Sequence, residues 1–413
     1  MKSLDKNMQK NITKIITANE AAAIAAKLSE IQIVSAYPIT PQSPVVEKLI
    51  EYHSQGQLKA EIVTVESEHS AITVCISAST AGARVFTASC ANGLALMHEQ
   101  LHWAAGSRLP IVMAIPNRAV AAPWSILNDQ QDSISQRDTG WIQIYCKNNQ
   151  EVLDSIIQAY KIAEKVMIPT MVCYDGYVLS HTLMPVQIPS SQQVKKFLPS
   201  YKPHTVLSSQ DPQNINPVTL ANPRKNAQGV LCHSYYEIRY LLQEAHQKAI
   251  KVVETTDREF KKDFGRQYPL LDQYRCQNAK LILITMGSLA SEALEAVDLL
   301  REKGLKVGVI HLRLYRPFPA KAIAKAIAKT SCQGIIVIEK NVSYGYEGAL
   351  CSDLKGALFE LKNEIFIHPY IAGLGGRDVN YSIIAEALQK SYKYLSKEKK
   401  KQTKNQEWLD CRI

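Results

Sequence analysis

The chain has 413 residues, 46% of them hydrophobic and 21% charged, an ordinary globular composition with room for two or three domains. Its formal charge of +10 sits largely in the ends, with a net +3 in residues 1–16 and a net +4 in residues 391–413, so the body between them is close to neutral. With no basic face carrying aromatic platforms, nucleic-acid binding is disfavoured. Apolar runs too short for a membrane span and a polar amino terminus lead to the expectation of a cytoplasmic protein.

In chain order, Asn19 reads as a helix cap ahead of the alanine-rich stretch 20–27. A strand is expected over 31–37, where Ile31, Ile33 and Val34 are β-branched. It runs into Pro38, Pro41 and Pro44, with Thr40 held between two of them. A proline fixes its own φ and biases the residue before it away from the α region. Thr40 is therefore expected to be rigid and extended at the carboxyl end of a strand, the edge where open α/β sheets bind ligands. The spacing equally suits a plain strand-to-helix turn, with Ser43 capping a helix over 43–54.

A strand over 61–65 leads to a helix from Glu68. Thr64-Val-Glu-Ser-Glu-His-Ser-Ala71 places two glutamates two apart at its start. Residues i and i+2 do not share a helix face, so one of Glu66 and Glu68 turns inward and the other to solvent. A carboxylate there is favoured by the helix dipole alone, and a buried one also suits acid–base work.

A strand over 84–88, a helix over 92–105, a strand over 109–115 ending at Pro116 and a loop to about 132 come next. Arg118 falls at the same sheet edge as Thr40. Its guanidinium suits a bound carboxylate, or a structural partner such as Asp129 or Asp132. A strand over 141–145, a helix over 150–165 and a strand over 170–174 complete an alternation that marks a parallel sheet covered by helices, domain one at 15–200. Residues 201–277 read as a Pro-rich arm and a long helix over 233–262. A second α/β unit spans 278–391, with strands over 281–286, 307–312, 334–339 and 365–370. Residues 392–413 form a basic tail, either solvated or a dock for an acidic partner.

The nine cysteines are never closer than fifteen residues apart. They lack zinc or iron–sulfur spacing and read as reduced thiols. There is no Walker A pattern and no Gly-x-Gly-x-x-Gly; the Gly373-x-Gly375-Gly376 turn reads as a tight loop rather than a phosphate cradle.

Taken together, Ala36-Tyr-Pro-Ile-Thr-Pro41, Val65-Glu-Ser-Glu-His-Ser-Ala71, Gly93-Leu-Ala-Leu-Met-His-Glu99, Asn117-Arg-Ala119, Gln136-Arg-Asp-Thr-Gly-Trp141, Arg316-Pro-Phe-Pro319 and Ala372-Gly-Leu-Gly-Gly-Arg-Asp-Val379 resemble the alpha subunits of pyruvate:ferredoxin (or flavodoxin) oxidoreductases, within the 2-oxoacid oxidoreductase family. The likeness runs over nearly the whole chain between the tails. It implies an α/β protein: a thiamine-diphosphate-binding (pyrimidine-type) parallel-sheet domain followed by a transketolase C-terminal-like α/β domain, the latter without catalytic residues. It further implies oxidative decarboxylation of pyruvate onto coenzyme A, with electrons passed to ferredoxin or flavodoxin; 2-oxoglutarate or a branched 2-oxoacid is the alternative substrate, and a non-catalytic assembly subunit the alternative class.

By the same resemblance, Glu68 faces N1′ of the aminopyrimidine, Thr40 and Arg118 bind the substrate carboxylate, and Pro38 and Ile39 border the cofactor. The Gly-Asp-Gly…Asn motif for diphosphate and magnesium is missing, since Asp175-Gly176 follows Tyr174. A beta subunit carrying that motif, Mg2+ and a 4Fe-4S cluster is therefore expected, with separate gamma and delta subunits. Two segments depart from the family pattern. Asn128-Asp-Gln-Gln-Asp132 lacks a histidine that relatives have, and Ala91-Asn-Gly93 stands where they read Ser-Gln-Gly.

Overall fold

The computed structural model describes residues 12–203, 224–225, 231–232, 235–360, 365–396 and 406–413. Most of the Pro-rich arm, residues 1–11 and residues 397–405 lie outside the described residues.

The first half of the chain runs β1 (Ile12–Ile16), α1 (Ala18–Leu28), β2 (Ile33–Ala36), α2 (Ser43–Ser54), β3 (Glu61–Thr64), α3 (Glu68–Thr80), β4 (Val85–Ala88), α4 (Ala91–Leu96) and α5 (His98–Gly106). It continues with β5 (Val112–Asn117), α6 (Gln131–Ile134), β6 (Ile142–Tyr145), α7 (Asn149–Val166), β7 (Thr170–Asp175), β8 (Met184–Ile188) and α8 (Ser191–Phe197). Short strands β9 (Arg224–Lys225) and β10 (Leu231–Cys232) precede the 30-residue helix α9 (Tyr235–Phe264). The second half holds β11 (Leu271–Tyr274), β12 (Leu281–Thr285), α10 (Leu289–Glu302), β13 (Val307–Leu312), β14 (Leu314–Arg316), α11 (Ala320–Ala328), β15 (Gly334–Glu339), α12 (Ala349–Leu358), β16 (Phe366–Ile371), α13 (Tyr381–Tyr392) and β17 (Glu407–Trp408).

Two sheets carry the fold. The first has seven strands in the order β14-β6-β7-β5-β4-β2-β3, parallel throughout except β14. That edge strand is donated by the second half of the chain and pairs antiparallel with β6. The second sheet has six strands in the order β11-β13-β12-β15-β16-β17, with β11 the antiparallel member. Its last strand, β17, lies inside the stretch read as a basic tail.

Several expectations change in detail. Thr17, not Asn19, caps α1, through a capping box with Glu20. Gln42, not Ser43, occupies the cap position of α2 and makes no side-chain cap bond, Pro44 being already inside the first turn. The helix expected over 92–105 breaks at Met97 into α4 and α5. The strand expected to stop at Pro116 runs on to Asn117. It can do so because β4 ends opposite Ala114. The N–H that proline lacks therefore has no ladder partner to miss on that side. Helix α13, unread in the sequence, is capped by Asn380, whose side chain accepts from the Ser382 and Ile383 amides.

One hydrophobic core cluster runs through both halves, and a second packs α10 and α13 on the outer face of the second sheet. Helix α7 lies between the halves with an unusual number of buried polar groups. Two acids among them are met from the second half: Arg313 sits 3.1 Å from Glu151 with both 1% exposed, and Arg266 pairs with Asp154. No helix among the described residues is long and apolar enough to cross a membrane.

Candidate functional site

Four neighbouring strands of the first sheet, β5-β4-β2-β3, end at one edge. In sheet order, the loops that follow them carry Arg118, Cys90 to Gly93, Thr40 and Glu68. The chain leaves β2 towards β3 on one side and crosses to β4 on the other, so the topological switch point falls between the Thr40 and Cys90 loops. Ligands bind at such points because the loops there diverge and leave a crevice.

Glu68 opens α3 behind the cap Ser67, whose hydroxyl accepts from the Ser70 amide at 3.2 Å. It is 7% exposed, whereas Glu66 is exposed and accepts from the Ser70 hydroxyl. Among the described residues no hydrogen-bond donor reaches the Glu68 carboxylate. Facing it is Gly93 of α4. A Cβ on that glycine would stand 2.5 Å from Glu68 Oε1 and 2.7 Å from Ser89 Oγ. The Ser89 hydroxyl and both amide atoms of Gln42 are buried without partners. A buried acid lacking a donor, next to orphaned polar atoms and a missing Cβ, fits a polar ring that supplies what these groups lack.

Thr40 is exposed, Pro38 exposed and Ile39 half-buried. The turn they form is held from below: Asn19 Nδ2 donates to Pro41 O at 2.8 Å, and Tyr174 Oη donates to Asn19 Oδ1 at 2.8 Å. Asn19 thus serves the turn rather than its own helix, which nothing in its local sequence signalled.

Arg118 is 8% exposed and forms no ion pair among the described residues. Its Nη1 donates to Thr40 O at 2.8 Å and its Nε to Ser125 O at 3.2 Å. The expected acidic partner meets its backbone instead, since the Arg118 amide donates to Asp132 Oδ2 at 3.0 Å. Two of five guanidinium N–H groups are thereby fixed, and the rest stay available for an anion in the planar fork geometry that carboxylates match.

The second half braces this edge. Ser125 Oγ donates to Gly375 O at 3.3 Å, and the Gly376 amide donates to Asn128 O at 2.7 Å. Gly376 has φ +80°, and a Cβ there would stand 2.4 Å from Leu127 Cβ. The glycine turn therefore works as a buttress for the loop after Arg118. Beside it, fully buried Asp175 accepts from Gln130 Nε2 at 3.0 Å, from the Ser288 amide at 2.9 Å and from Lys340 Nζ at 3.0 Å. Burial pushes this carboxyl up, but the Lys340 charge and the hydrogen bonds outweigh it and hold it below the usual range. Its oxygens are taken up within the chain.

The open cleft of about 1020 Å³ between α9, β11 and α11 is lined by none of Thr40, Glu68 or Arg118. Among the described residues no group of His, Cys, Asp or Glu is placed to hold a metal ion.

Residues 24–258 match the thiamine diphosphate-binding domain of pyruvate flavodoxin/ferredoxin oxidoreductase, and residues 279–384 match core domain II of pyruvate:ferredoxin oxidoreductase. Similar proteins include pyruvate synthase subunit PorA of Pyrococcus abyssi, 47% identical over 97% of this chain and 98% of that one. The same subunit of Methanothermobacter thermautotrophicus is 44% identical over 92% and 95%. Ketoisovalerate oxidoreductase subunit VorA of Pyrococcus horikoshii is 46% identical over 92% and 94%. Among solved structures, a 2-oxoglutarate:ferredoxin oxidoreductase from Magnetococcus marinus shares the fold with TM-score 0.68 and 20% identity, over 92% of this chain and 65% of that chain.

Proposed function

The chain belongs to the pyruvate flavodoxin/ferredoxin oxidoreductase family, and from that membership we propose that it is the alpha subunit of an enzyme that oxidatively decarboxylates pyruvate with coenzyme A to acetyl-CoA and CO2. Electrons pass to ferredoxin or flavodoxin, and the complex works in the cytoplasm. The observation that carries the chemical reading is Glu68, a buried carboxylate with no donor, facing the space that Gly93 leaves open.

Thiamine diphosphate, when bound, supplies a nucleophilic carbon and an electron sink for loss of CO2. Glu68 would hold a proton at N1′ of the aminopyrimidine, and Pro38 and Ile39 would border the ring. Arg118 takes the substrate carboxylate with the free side of its fork, and the Thr40 hydroxyl donates to the same group. The residues of this chain orient the substrate and place charge; they contribute no nucleophile. Asp175, engaged by Lys340, Ser288 and Gln130, is not free for a metal. The diphosphate, Mg2+ and a 4Fe-4S cluster are thus assigned to a beta subunit, alongside gamma and delta subunits.

A second reading keeps the chemistry and changes the substrate. A ketoisovalerate subunit is as similar to this chain as the pyruvate synthase subunits are, so a branched 2-oxoacid, or 2-oxoglutarate, is the runner-up. A scaffold with a decayed site is disfavoured by the presence of Thr40, Glu68 and Arg118 at one edge.

The test is co-expression with the chains encoded beside it, followed by coenzyme A-dependent reduction of a viologen dye with pyruvate, 2-oxoglutarate and a branched 2-oxoacid. Pyruvate-dependent activity only in the complex is expected. Preference for another 2-oxoacid moves the substrate to the runner-up, and activity of this chain alone contradicts the split site.

A further inference from the structure

Asp132, in the short helix α6, is 1% exposed, and its carboxylate accepts four hydrogen bonds from three segments. Oδ2 takes the amides of Ala91 at 2.9 Å and Arg118 at 3.0 Å. Oδ1 takes Asn117 Nδ2 at 2.7 Å and the Ser133 amide at 2.7 Å. Among the described residues it forms no ion pair. Four converging N–H donors require an acceptor-only group with about four lone-pair sites, which an ionised carboxylate has and an amide does not.

The segments it joins are those of the candidate site. Arg118 is the first residue past β5, and its side chain reaches across to Thr40 O. Ala91, a non-glycine residue at φ +48°, opens α4, the helix that presents Gly93 to Glu68. Such a backbone conformation persists only where its surroundings impose it, and the bond to Asp132 does so here.

We propose that Asp132 is a positioning residue for the substrate: it pins the Arg118 backbone to the Ala91 turn and so sets where the guanidinium meets a 2-oxoacid carboxylate. This rests on the reading that Arg118 binds that carboxylate. Asp132 touches neither substrate nor cofactor and acts through Arg118.

The experiment compares Asp132→Asn, Arg118→Met and the double variant in the co-expressed complex, with complex recovery and KM and kcat for pyruvate measured together. An amide at 132 turns its own NH2 towards two of the four donors. Complex recovery is expected to hold, with KM for pyruvate raised about tenfold or more and kcat changed less than about threefold. In the Arg118→Met background the Asp132→Asn effect is expected to vanish, because the path through the guanidinium is gone. An unchanged KM in Asp132→Asn, with Arg118→Met still raising it, overturns the positioning role alone. An unchanged KM in Arg118→Met overturns the reading beneath it as well.

Should Asp132→Asn prevent assembly, the pH dependence of KM carries the test in an Asp129→Asn background, which removes the neighbouring carboxyl. Burial pushes Asp132 up to about 6, its hydrogen bonds pulling the other way. Cys90, Cys173 and Tyr145 around it are pushed up by burial and stay protonated, and Arg118 meets it through its main-chain amide. KM is expected to rise as pH falls below about 6, and a flat profile between about pH 5 and 7 overturns the proposal.

Discussion

Nη1 of Arg118 lies 2.8 Å from the main-chain oxygen of Thr40, so the two residues assigned to one substrate group are also bonded to each other. An arginine spends part of its fork on the protein and keeps the remainder for a ligand; a lysine has a single point charge for both. Arg118→Lys is expected to raise KM for pyruvate about tenfold or more, with a smaller change in kcat and a stability loss of about 1–3 kcal/mol. Steady-state kinetics of the complex and thermal melting check this. An unaltered KM would separate Arg118 from the substrate.

Gly93→Ala tests the space beside Glu68. Gly93 lies inside α4, so an alanine is tolerated by the backbone and the fold is expected to survive. The new methyl would meet the Glu68 carboxyl at 2.5 Å and displace it. Loss of about 100-fold in activity, with the melting temperature little moved, is the expected result, and Glu68→Gln is expected to lose as much. Full activity in Gly93→Ala would mean that the Glu68 position does not matter.

Lys340→Met removes the cation that faces Asp175, which is fully buried. The remaining carboxylate keeps its bonds from Gln130 Nε2, the Ser288 amide and the Ser288 hydroxyl but has no counter-charge, and a cost of about 3–5 kcal/mol is expected. Asp175→Asn in the same chain is expected to recover most of it. Chemical denaturation of the three variants measures the difference, and additive losses would show that the pair is not coupled.

Glu339 accepts from the amides of Leu350 and Cys351 at the start of α12 and from Asn341 Nδ2. Burial pushes it up to about 7, against the pull of those bonds. Between about pH 4.3, where the unfolded group titrates, and about pH 7, the folded chain holds a proton that the unfolded chain releases, so stability falls as pH rises. Above about 7 the contribution is constant. Wild type is therefore expected to lose up to about 4 kcal/mol across that window relative to Glu339→Gln. Parallel stability curves for the two proteins would contradict the shift.

The alternating pattern of apolar strands and amphipathic helices made the parallel sheets legible, because each element's burial is written in its own period. That one of Glu66 and Glu68 turns inward was legible from their spacing, and the family resemblance named Glu68; the structure separates them further, since Glu66 precedes the cap Ser67 and lies outside α3. What escaped the sequence are bonds that join distant residues. Asn19 looks like a cap, yet its amide is drawn 22 residues away to Pro41 O. Asp132 looks like a counter-ion for Arg118, yet it binds the main chain. The break at Met97, the short strand β14 and helix α13 also escaped, since each depends on what packs against it more than on its own propensity.

Strand β14 has a bearing on how the gene could be divided. Residues 314–316 complete the first sheet from a point well past the apparent boundary near residue 278, and they cover β6, whose four residues are all buried. A chain cut at that boundary would leave Ile142–Tyr145 as a bare apolar edge, open to pairing with any passing strand and prone to aggregate. A chain divided at the arm therefore separates β6 from the strand that covers it. The first half, expressed by itself, needs its own copy of β14 to close the sheet.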